Sequence, residues 1–119
     1  MKGLILFKLI SAMIIVESNG NPNAYNPQEE AVGVLQIRPI MVAELNRLGI
    51  EFCLDDRYSK TESVNAFKQW IKIKNYTDPE IIARKWNGGP NGHLKASTLK
   101  YWIKVRNLIY PKYHKCNLK

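Results

Sequence analysis

A chain of 119 residues, 45% of them hydrophobic, can bury one core of ordinary size but not two, so residues 1–119 read as a single domain. Eighteen basic against ten acidic side chains give a formal charge of +8, scattered from Lys2 to Lys112, which points to a cationic globule and away from a dedicated nucleic-acid arm. Cys53 and Cys116 lie far apart, and neither they nor His93 and His114 show metal-ligand spacing, so the expectation is no metal and no cofactor, with two free thiols preferred over a disulfide.

Residues 1–16 begin like a secretory leader, with Lys2 ahead of an apolar run. Lys8 interrupts that run, no small-x-small site follows, and the stretch is too short to span a bilayer. The expectation is a buried helix over residues 4–17 retained in the folded protein, with synthesis in the cytoplasm and any export by another route. Residues 18–28 are rich in turn formers and cannot remain helical past Pro22 or Pro27, which leaves a loop with room for a short hairpin. Residues 31–37 are too short and too apolar for periodicity to separate strand from helix.

Pro39 suits the first turn of a helix reaching Leu48 and stopped by Gly49, which would bury Ile40, Val42, Ala43, Leu45 and Leu48. Ser59 or Thr61 can cap a helix to about Lys74, with Val64, Phe67, Trp70 and Ile71 inward. Asp78-Pro79-Glu80 starts a short helix ending near Trp86. Three glycines and a proline make residues 87–92 a loop, after which Ser97 or Thr98 caps a last helix with Leu99, Trp102, Ile103, Arg106, Ile109, Tyr110 and Tyr113 at spacings of three and four. The pattern predicts an all-α domain of about five helices.

Three segments stand out against this scaffold. Glu17-Ser18 closes the first helix ahead of Asn21-Pro22 and Ala24-Tyr25-Asn26; Gly33-Val34-Leu35-Gln36-Ile37 follows, ending at Pro39; and Trp86-Asn87-Gly88 lies beyond. In this order they resemble the Glu-Ser pair, the Gly-Leu-Met-Gln-Ile-x-Pro element and the Ala-Tyr-Asn-x-Gly element of the lytic transglycosylase and goose-type lysozyme family. The resemblance implies a lysozyme-like helical domain with a catalytic cleft, acting on peptidoglycan between N-acetylmuramic acid and N-acetylglucosamine.

Glu17 is the candidate catalytic residue. A glutamate closing an apolar helix can hold a proton and deliver it to a glycosidic oxygen. The resemblance implies a non-hydrolytic reaction in which the same carboxylate then assists the muramic C6 hydroxyl, giving a 1,6-anhydro end. The alternative is a hydrolytic muramidase, for which Glu30 or Glu29 is the possible second carboxylate; solvated loop charges are the plainer reading of both. Ser18, Tyr25, Gln36, Trp86 and Asn87 are the candidate substrate-binding residues. Three of them have a structural alternative: helix-end bonding for Ser18, loop bracing for Gln36, core packing for Trp86. Trp86 stands where the family has tyrosine, so a phenolic contact to the glutamate is lost. Gly33 and Gly88 suit unusual backbone angles or close approach by glycan. The expected partner is a peptidoglycan strand and the expected state a monomer. A basic helical nucleic-acid binder accounts for the charge but not for Glu17, Gln36 and Asn87 in their motifs, and a non-catalytic glycan-binding domain on the same fold is the further alternative, marked by binding without cleavage.

Overall fold

The computed structural model describes residues 2–110. Five α-helices dominate: α1 (Gly3–Ser18), α2 (Pro39–Arg47), α3 (Lys60–Lys74), α4 (Pro79–Gly88) and α5 (Ala96–Ile109). Two 3-10 turns, Leu54–Tyr58 and Gly92–Leu94, and a hairpin of β1 (Tyr25–Asn26) with β2 (Ala31–Val32) complete the set. The mainly helical class is thus as the sequence predicts. The chain divides into two compact units, one comprising residues up to Val16 together with those from Asp78, the other Glu17–Thr77.

In the Glu17–Thr77 unit, the hairpin pairs Tyr25 with Val32 and Asn26 with Ala31 in antiparallel register. A side chain supports its turn, since Asn26 Oδ1 accepts the Gln28 amide at 3.0 Å, and in the loop before β1 Asn21 Oδ1 likewise accepts the Asn23 amide at 2.9 Å. Val32 then bridges to Ile37 through two main-chain bonds, so residues 33–36 form a tight turn. Ala31, Val32, Val34, Leu35 and Ile37 are all buried. This explains why no alternation is visible across 31–37: after two strand residues the chain turns, and every apolar side chain goes inside.

Pro39 opens α2 and Leu48 closes it, but Met41, Val42 and Leu45 form its buried face, while Ile40 is 72% exposed and Ala43 is also exposed. Val42 and Leu45 are thus buried as expected, while Met41, absent from the expected face, takes the place of Ile40 and Ala43. Ser59 caps α3 by accepting the Glu62 amide at 3.1 Å, and Asn75 ends it in the left-handed conformation at φ 57°. Phe67, Trp70 and Ile71 are buried as expected, joined by Ser63 and Ala66, and Val64 is half-buried. The Trp70 ring lies 5.9 Å from Phe67 and 5.2 Å, edge-on, from Tyr76.

In the other unit, Asp78 accepts the Glu80 amide at 2.9 Å ahead of Pro79, the predicted start of α4. Gly92 packs against the Arg84 carbonyl so closely that a Cβ there would collide with it. The start of α5 differs from expectation. The helix begins at Ala96, before either proposed cap, and Thr98 is an interior residue, 1% exposed. Its hydroxyl is engaged with the Gly92 carbonyl and the Lys95 carbonyl and accepts a bond from Arg84 Nε at 3.1 Å. Arg84 also bonds Glu80 Oε2 at 2.7 Å and the Lys95 carbonyl at 2.9 Å. The buried face of α5 is Thr98, Tyr101, Trp102, Val105 and Ile109, so Leu99, Ile103, Arg106 and Tyr110 lie outside it. Tyr113 lies outside the described residues.

The first helix departs most from expectation. Leu9 and Met13 are fully buried, each contributing ~1.5–3 kcal/mol by leaving water, and Ile10, Ala12 and Ile14 accompany them. Leu4, Phe7 and Ile15 are instead 65%, 68% and 51% exposed, so α1 is not buried all round.

Candidate active site

Glu17 is half-buried in the last turn of α1. The chain leaves the helix through Asn19 at φ 53° and Gly20 at φ 82°, both left-handed, which swings it sharply into the Asn-Pro loop. Ser18 fixes that exit. Its hydroxyl donates to the Val34 carbonyl at 2.8 Å and accepts the Gly20 amide at 3.2 Å. The helix-end role expected of this serine is therefore present, and it has a longer reach than expected, because it couples the Glu17-Ser18 pair to the turn containing Gln36.

That turn is braced from within. Gln36, left-handed at φ 48°, donates both amide protons, to the Ala24 carbonyl at 3.1 Å and the Gly33 carbonyl at 3.0 Å. Loop bracing thus occupies its nitrogen, leaving the amide oxygen as the group able to accept from a sugar hydroxyl or acetamido N–H. The Gly33 amide bonds the Ala24 carbonyl at 2.8 Å, and Gly33 itself has φ 87°. Its lack of a side chain admits not glycan but protein, since a Cβ would collide with the Arg57 carbonyl. Tyr25, 57% exposed on β1, stands next to Ala24 and presents its ring to solvent. Glu29 and Glu30 are both exposed in the hairpin turn, Glu30 at φ 53°.

Sequence reasoning missed Arg57. This arginine is 9% exposed, and its guanidinium donates to the carbonyls of Leu54 at 2.9 Å, Glu30 at 2.9 Å and Ile37 at 3.0 Å. It thereby clamps both ends of the segment carrying Gln36. Asp55-Asp56-Arg57 reads as a charged surface loop, and partners that are main-chain carbonyls leave no trace in a side-chain pattern.

Trp86 and Asn87 belong to the other unit. Trp86 is buried on α4, 4% exposed, so its indole packs within the protein and offers no open face. Asn87 is half-buried one residue further. Gly88, without a side chain, accommodates the Thr98 methyl, and its carbonyl accepts Lys95 Nζ at 2.7 Å. Among the described residues, no group of three or more His, Cys, Asp or Glu could hold a metal ion, and no helix is long and apolar enough to cross a membrane. Cys53 is exposed, and Cys116 and His114 lie outside the described residues.

Comparison with known proteins adds two findings. A family model described as transglycosylase SLT domain matches residues 2–108. A lysozyme from Ostrea edulis is 38% identical over 79 residues, which cover 63% of this chain and 58% of that protein, so the match spans little more than half of the relative. No solved structure matches the chain.

Proposed function

Because the chain belongs to the transglycosylase SLT domain family, whose members act on glycosides, we propose that it cleaves peptidoglycan glycan strands with Glu17 as general acid and base. The observation that carries this reading is the Ser18 bond to Val34, which couples the proposed acid to the Gln36 turn. Two of the three motifs that mark the family in sequence are thereby joined in one braced loop system.

In the proposed reaction, Glu17 donates its proton to the oxygen leaving C1 of the muramic residue. The resulting carboxylate takes the proton of that sugar's own C6 hydroxyl as its oxygen bonds to C1. The products are a free 4-hydroxyl on one fragment and a 1,6-anhydro ring on the other, with no water consumed and Glu17 reprotonated. Ser18 and Arg57 act as positioning residues, while the Gln36 oxygen and Tyr25 ring supply contacts for sugar. That the oyster relative is a lysozyme favours a second reading, hydrolysis, in which water replaces the C6 hydroxyl and Glu30 or Glu29 activates it.

Solubilisation of purified sacculi tests the proposal. Native protein should release soluble fragments, and Glu17→Gln should lower the rate at least ~100-fold with an unchanged circular dichroism spectrum. Glu29→Gln and Glu30→Gln should retain the native rate. A comparable collapse in Glu30→Gln or Glu29→Gln would support the hydrolytic reading, and full activity in Glu17→Gln would refute both.

A further inference from the structure

The net charge of the chain is not shared evenly. Residues 17–77 carry seven basic and eight acidic side chains, a balance of −1, whereas the unit made of residues up to Val16 and from Asp78 carries eleven basic and two acidic, a balance of +9. The two acids, Asp78 and Glu80, both sit at the start of α4, and no carboxylate side chain occurs after Glu80. Up to Val16 on α1, and all along α5, the charged side chains are therefore exclusively cationic.

The same helices carry apolar surface that the protein leaves in water. A groove of about 650 Å³ is lined by Phe7, Lys8, Ser11 and Ile15 of α1 and by Leu108 and Tyr110 at the end of α5. Phe7 is 68% exposed, Ile15 51%, Leu108 47% and Tyr110 51%, with Leu4 at 65% one turn before Lys8. Residues four apart share a helix face, so Lys104 and Lys100, both exposed, continue the Leu108 row along α5. Aliphatic and aromatic side chains with interspersed lysines and no acid form a surface unlike a solvated face, which would carry charges of both signs.

We propose that this α1/α5 face docks on the surface of an anionic lipid bilayer. The charge complementarity selects that occupant: the lysines meet the phosphate and phosphodiester headgroups while Phe7, Ile15, Leu108 and Tyr110 enter the headgroup boundary. A nucleic acid would satisfy the lysines but has no use for exposed leucine and isoleucine, and a second copy of the chain would bring +9 against +9. With α1 only 16 residues long, the attachment is interfacial and does not span. The inference is independent of the role of Glu17.

The test is cosedimentation of the full chain with phosphatidylglycerol/phosphatidylcholine vesicles and with phosphatidylcholine alone, using native protein, Lys8→Gln/Lys104→Gln and Phe7→Ser/Ile15→Ser. All four positions are surface residues, and circular dichroism checks each fold. Native protein should bind the anionic vesicles and not the neutral ones. The lysine variant should bind ~25-fold more weakly, ~5-fold for each lost charge, and the apolar variant should lose at least ~10-fold with the charges intact. Unchanged binding by the apolar variant would overturn the proposal in favour of unspecific polyanion attraction, and equal binding to neutral vesicles would overturn it by removing the role of charge. A lipid-free dimer dispersed by Phe7→Ser/Ile15→Ser would overturn it in favour of a second copy.

Discussion

Removing the Arg57 guanidinium is the sharpest perturbation of the scaffold beneath the proposed acid. Three carbonyls accept from it, those of Leu54, Glu30 and Ile37, in a site where the side chain is 9% exposed. Leu54 is itself half exposed, so its carbonyl can turn to water at small cost. The long-range bonds to Glu30 and Ile37 involve a charged donor and contribute ~1.5–3 kcal/mol each. Some of that is recovered as water enters the vacated space, so Arg57→Ala should lose ~3–4 kcal/mol. That is a large share of the ~5–15 kcal/mol that holds a small domain together. Arg57→Lys should lose about half as much, because one ammonium cannot reach carbonyls arranged for a planar fork. Urea unfolding with linear extrapolation measures both. A loss below ~0.5 kcal/mol for Arg57→Ala would refute the clamp and with it the account of how the Gln36 turn is held.

Three further expectations follow from the same geometry. Gly33→Ala places a Cβ against the Arg57 carbonyl at a φ of 87° and should destabilise by more than ~2 kcal/mol in the same assay. Thr98→Val keeps the shape of the side chain but deletes the hydroxyl shared by Arg84, Gly92 and Lys95, and should lower the thermal midpoint by the equivalent of ~2 kcal/mol. The Arg47 guanidinium, bonded to Glu44 at 2.7 Å and 2.8 Å, holds that carboxyl below its ordinary value, with Lys74 adding a smaller pull. The pair's contribution to stability is therefore complete above the ordinary glutamate range and fades as pH falls through the lowered value. Arg47→Ala should move the Glu44 titration upward in an NMR pH series, and an unmoved titration would contradict the pairing.

Helix starts and stops were the most legible part of the sequence, because they depend on local chemistry. Ser59, Asp78-Pro79, Pro39 and Gly49 all act within one turn of the residues they organise. Which face of a helix is buried was less legible. On α2 and α5 the expected stripe was right only in part: Val42, Leu45, Trp102 and Ile109 are buried, but Met41, Tyr101 and Val105 carry the burial that Ile40, Leu99 and Ile103 were expected to carry. On α1 apolar residues surround the helix, so its exposed row of Leu4, Phe7 and Ile15 had no periodic signature. The candidate site divides similarly. Glu17 and Gln36 could be singled out by residue type and context, but the bond from Ser18 to Val34 and the clamp from Arg57 run to main-chain oxygens distant in sequence. No arrangement of side chains along the chain announces such partners.

Water-free cleavage of the glycan strand by Glu17 is what we propose. Mass spectrometry of purified peptidoglycan after incubation with native protein and with Glu17→Gln tests it most directly. Native protein should release 1,6-anhydro muropeptides, and the variant none. Reducing-end products from the native protein would contradict transglycosylation and establish hydrolysis, and identical products from both proteins would contradict the role of Glu17.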